Sequence, residues 1–143
     1  ACAAQYEWWQ AKMRLKWLVD PTAEDVRRLL QGLRKSSREE RILVHYSGHG
    51  VPRPTAAGEL WLFNRQFTQY IPLTLTELVE WVGTPCCLVL DCTGVDALLA
   101  SLKGGGGEGG VMALGAATLL ETLPTCAAMP ADLLTACLTT PIE

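Results

Sequence analysis

Two short runs, residues 41–46 (RILVHY) and 86–90 (CCLVL), constrain the fold of this chain more than any other feature. Both are almost continuously apolar, the pattern of a strand buried on both faces. Each ends in a polar loop carrying glycine: Ser47-Gly48-His49-Gly50 after the first, Asp91-Cys92-Thr93-Gly94 after the second. Helical patterns separate the runs. Val26, Leu29, Leu30 and Leu33 fall at i, i+3, i+4 and i+7, and Val95, Leu98, Leu99 and Leu102 do the same. Leu75, Leu78, Val79 and Val82 share the spacing. Buried strands alternating with amphipathic helices predict an α/β fold, with a mainly parallel central sheet covered by helices on both faces.

The punctuation agrees. Thr22 with Asp25, and Thr74 with Glu77, are capping-box pairs that start helices. Gly83 stops the second of these. Pro52 and Pro54 exclude helix from the loop at 51–58. Further strands are expected at 59–63 and 111–117, and a helix at 133–138. A first helix over 6–18 would carry Trp8, Trp9, Met13 and Trp17 as an apolar stripe. Residues 103–110, mostly glycine, read as a flexible loop.

The 143 residues have room for one ordinary domain, and 49% apolar against 19% charged residues excludes a disordered chain. Nine Lys and Arg face six Asp and Glu in residues 1–41, but three face nine afterwards, for a net charge of −3. That balance argues against nucleic acid as a partner, and the basic start reads as a solvated helical face. The longest apolar run, 111–120, falls short of the roughly 18 residues a membrane span needs, so no membrane insertion is expected. Six cysteines, two of them adjacent at the head of an apolar run, read as free thiols in a reducing, cytoplasmic setting. The start at Ala1 suggests a piece of something longer.

In parallel sheets, sites gather at the carboxyl ends of strands, where both polar loops lie. A cysteine nucleophile needs a base and oxyanion donors. His49 is the candidate base, Cys92 the candidate nucleophile, and the backbone N–H of Gly50 a candidate oxyanion donor. A thiol beside a strand end also packs as an ordinary small hydrophobe. Asp91 disfavours the thiolate at its neighbour. No metal site is read from His45 and His49, which lack the HExxH pattern, and the glycine run lacks the GK[ST] ending of a phosphate loop. No cofactor is expected.

The segments HYSGHGVPRP (45–54), ELWLFN, TQYIPL, VLDC and PADLLTACLTTPI resemble the amino-terminal domain of the Raptor family over nearly the whole chain. The resemblance implies a three-layer α/β/α caspase-like domain, here a partial one, with His49 and Cys92 on the positions of the caspase-type dyad. It also implies a non-catalytic scaffold of TOR complex 1 that binds TOR kinase and substrates bearing a TOR-signalling motif. The setting would be cytoplasmic, with recruitment to the lysosome or vacuole surface through partners. Relatives tend to show DCSNAG where this chain has Asp91-Cys92-Thr93-Gly94-Val95-Asp96, which departs from that pattern around the nucleophile. The loop at 51–58 with Arg53, and the segment 61–70 with Trp61 and Tyr70, are candidate protein-contact surfaces. The alternative is a caspase-clan cysteine peptidase using His49 and Cys92.

Overall fold

A computed structural model of the chain describes residues 2–103, 110–121 and 133–139. Its centre is a three-stranded parallel sheet of β1 (Ile42–Ser47), β4 (Cys86–Asp91) and β5 (Val111–Gly115), in the order β1-β4-β5. A hairpin of β2 (Glu59–Phe63) and β3 (Tyr70–Thr74) forms a separate antiparallel sheet. The helices are α1 (Cys2–Trp9), α2 (Ala23–Ser36), α3 (Leu75–Val82), α4 (Val95–Lys103) and α5 (Leu133–Thr139).

Alternation along the strands sorts the side chains between two faces. Ile42, Cys86, Leu88 and Leu90 point into one apolar cluster. Leu30 of α2, Leu75, Leu78 and Val82 of α3, Leu98 of α4 and Leu60, Leu62 and Leu73 of the hairpin complete it. The helical spacings read from the sequence therefore face a single core. The opposite face carries Leu43, His45, Val89, Asp91, Met112 and Leu114. Among the described residues α1 and α5 lie over it, and Leu43, Met112 and Leu114 remain exposed.

Both capping boxes form. The Thr22 hydroxyl accepts from Asp25 N–H, and the Asp25 carboxylate accepts from the Thr22 hydroxyl and from the Thr22 backbone N–H, which together hold that carboxyl below the usual range. Thr74 and Glu77 repeat the arrangement at α3. Gly83 ends α3 with φ 64°, a conformation that favours glycine.

The amino-terminal helix differs from expectation. It spans Cys2–Trp9 rather than 6–18, and the chain then turns and runs without helix to Thr22. A helix of this size needs a face to bury, and the tryptophan stripe has none: Trp8 is 74% and Trp17 62% exposed. Only Tyr6 of α1 is buried. β3 contains Pro72, which an edge position in a two-stranded sheet tolerates. Positions 104–109 of the predicted glycine loop lie outside the described residues.

Candidate functional site

β1 and β4 run parallel in a register that sets Ser47 opposite Asp91. The ladder continues one step, with Gly48 N–H donating to the Asp91 carbonyl at 2.9 Å. The loops bearing His49 and Cys92 therefore leave the sheet side by side. Gly48 is required by this closeness. A Cβ there would stand 2.9 Å from Cys92 Cβ and 2.7 Å from the Tyr46 ring.

Asp91 is the polar centre of the site. It closes β4 and is 2% exposed. A carboxylate this buried must be paired. His49 Nε2 lies 3.0 Å from its Oδ1, and Thr135 of α5 donates a 2.7 Å hydrogen bond to its Oδ2. His45 Nε2 stands 3.8 Å from the same Oδ2. The other ring nitrogen of His45, Nδ1, is 2.8 Å from the Tyr6 hydroxyl. The Tyr6 ring meets the His45 ring edge-on, with centroids 5.8 Å apart. Burial, helped by the nearby thiols and Asp91, pushes the Tyr6 hydroxyl up to about 12.

Cys92 follows Asp91 and belongs to the apolar cluster on the opposite face, 2% exposed. Burial pushes its thiol up to about 12, and the charge on Asp91 adds to the effect. Because the thiolate is the nucleophile, this burial works against nucleophilic reactivity at Cys92. His49 is joined to Asp91, the residue that precedes Cys92.

Gly50 sits in the exposed turn after His49, where an added Cβ would meet nothing within 4 Å. Arg53 is exposed, and its carbonyl accepts a 2.8 Å hydrogen bond from Trp61 Nε1, which ties the 51–58 loop to the hairpin. Tyr70 is on β3, its ring tilted 35° against that of Phe63 with centroids 4.7 Å apart. Sequence reasoning missed Tyr6, Asp91 and Thr135 as partners in a network. For Asp91 a signal existed: it closes the second apolar run as its one charged residue, and a buried carboxylate needs a partner. Tyr6 and Thr135 arrive from distant chain positions and left no local signal. Among the described residues, no cluster of three or more His, Cys, Asp or Glu is placed to hold a metal ion. No helix among them is long and apolar enough to cross a membrane.

Comparison with known proteins agrees with this architecture. Residues 1–102 match the family model of the Raptor N-terminal caspase-like domain. Regulatory-associated protein of TOR 2 from Oryza sativa subsp. japonica is 45% identical, over 98% of this chain and 11% of that protein. Target of rapamycin complex 1 subunit KOG1 from Saccharomyces cerevisiae is 41% identical, over 98% of this chain and 10% of its own length. The crystal structure of Chaetomium thermophilum Raptor superposes with a TM-score of 0.87 at 40% identity, over 98% of this chain and 13% of that one. The chain thus spans about a tenth of the length of the curated relatives it matches. With a family model over most of its residues and a parallel sheet carrying His49 and Cys92 on adjoining loops, the chain belongs to the Raptor family.

Proposed function

We propose that this chain is a non-catalytic scaffold domain of a TOR complex 1 regulatory subunit, which helps recruit substrates with a TOR-signalling motif to TOR kinase. Holding kinase and substrate on one body raises the effective concentration of one at the other. The names of the relatives, regulatory-associated protein of TOR and TOR complex 1 subunit, support the assignment. The observation that carries the non-catalytic part is the state of Cys92, sunk in the core with its thiol held protonated. In this reading His49, Cys92 and Gly50 are vestiges of a dyad site, and Arg53, Trp61 and Tyr70 belong to protein-contact surfaces. The parent protein acts in the cytoplasm and reaches the lysosome or vacuole surface through partners.

The test is a pull-down of the full-length parent protein from its own cells, probed for TOR kinase. Co-purification is the expected result, and its absence removes the scaffold reading. The alternative, a caspase-clan peptidase, draws on the parallel pairing that delivers His49 and Cys92 to one rim. It requires an electrophilic thiol probe to label Cys92 at neutral pH, with labelling lost in His49→Ala. The scaffold reading expects no such labelling.

A further inference from the structure

We propose that α1 and α5 form one detachable clasp over the outer face of the sheet, held shut by the Asp91 carboxylate rather than by apolar burial. Among the described residues, neither helix contributes to the apolar cluster that α2, α3 and α4 line. Among described residues α5 buries no side chain and α1 buries only Tyr6, whereas α3 buries Leu75, Leu78 and Val82. What ties them down is polar and converges on one group. Thr135 reaches Oδ2 directly from α5. Tyr6 approaches it from α1 through His45, whose Nδ1 is 2.8 Å from the tyrosine hydroxyl and whose Nε2 stands 3.8 Å from Oδ2, an ion-pair distance rather than a hydrogen bond. His49 fixes the other oxygen, Oδ1, so the carboxylate cannot turn to favour one helix. The two helices also pack against each other, which makes their release concerted.

A helix held by a few polar contacts opens at lower free energy than one held by a core face. The outer face beneath the clasp carries Cys87, half-buried on β4 and close enough to Tyr6 to affect its ionisation. Opening bares this thiol, while α2, α3 and α4 stay seated on the inner core. Cys87 is therefore a chemical reporter of the clasp, built into the fold.

The test is hydrogen exchange and iodoacetamide alkylation of the full chain, read by mass spectrometry. It compares the wild type with Asp91→Ala and with two near-isosteric variants, Tyr6→Phe and Thr135→Val, which each cut one arm. Tyr6→Phe and Thr135→Val leave the sheet and core contacts in place, so they remain informative should Asp91→Ala fail to fold. In each variant the amides of both α1 and α5 exchange at least tenfold faster, and Cys87 alkylates at least tenfold faster, while α3 and β4 keep their protection. Tenfold corresponds to about 1.4 kcal/mol of opening free energy. Faster exchange confined to the helix whose own arm was cut overturns the concerted clasp. Unchanged exchange overturns the role of the polar network. A uniform loss of protection through α3 and β4 also overturns it, because the helices would then be integral to the core.

Discussion

Arg34 supports a prediction whose magnitude follows from its contacts. It lies on α2, and its guanidinium donates to six backbone carbonyls among the described residues. Nε reaches Val82 at 2.7 Å, and Nη2 reaches Gly83 at 3.1 Å and Pro85 at 2.8 Å. Nη1 reaches Ser37 at 3.0 Å, Arg38 at 3.3 Å and Glu40 at 3.0 Å. One side chain thus ties the end of α2, the end of α3 and the approach to β4. It also supplies a cation to the C-terminus of α3, which has no basic residue in its own last turn. Arg34→Met keeps the apolar stem and removes every donor. The bonds to Arg38 and Glu40 are exposed, and water replaces them at little cost. The four to Ser37, Val82, Gly83 and Pro85 are partly buried, and at about 1 kcal/mol each the loss is about 4 kcal/mol. For a chain of this size that lowers Tm by about 10 °C. Arg34→Lys restores one point donor without the fork, so it recovers less than half of the loss. Urea unfolding monitored by tryptophan fluorescence, with Cm and m fitted separately, measures both variants. A change below about 0.5 kcal/mol for Arg34→Met, the range of an ordinary surface substitution, would refute the keystone role.

Cys92 and Tyr6 bind their protons more tightly folded than unfolded, from ordinary values of 9.0 and 10.0 to about 12 each. Their contribution to stability is full below pH 9 and falls as pH rises from 9 towards 12, which urea midpoints between pH 7 and 10.5 will track as a steady decline. Gly48→Ala pushes a methyl group against Cys92 Cβ and the Tyr46 ring and costs about 2 kcal/mol as overpacking, to be read from the same urea curves. Thr74→Ala removes the hydroxyl that accepts from Glu77 N–H and donates to its carboxylate. A loss of about 1 kcal/mol is expected, and Ser at the same position should restore most of it.

What was legible in the sequence was local. Thr22 and Asp25 lie three residues apart, and so do Thr74 and Glu77, so one turn of chain contains the whole reason for each helix start. The strand runs at 41–46 and 86–90 revealed themselves by composition, and the helices between them pointed to a parallel sheet, whereas the direct pairing of the two runs came from the structure. The stripe of Trp8, Trp9, Met13 and Trp17 misled because large apolar residues imply a helix only where something covers them. The anchor of α1 is instead one tyrosine on a histidine 39 residues away. The network around Asp91 was hidden for the same reason. Its members come from α1, β1, β4 and α5, and nothing in the spacing of Tyr6, His45, Asp91 and Thr135 announces a meeting.

The step from Asp91 to Cys92 carries a consequence for how β4 finds its place. One peptide unit separates a carboxylate set among imidazoles from a thiol set among leucines. Sliding β4 by a single residue along β1 would drive the carboxylate into hydrocarbon and offer sulfur to the histidines. The alignment of these two strands is therefore enforced by charge as well as by oil, and misaligned pairings are discarded because they strand an ion.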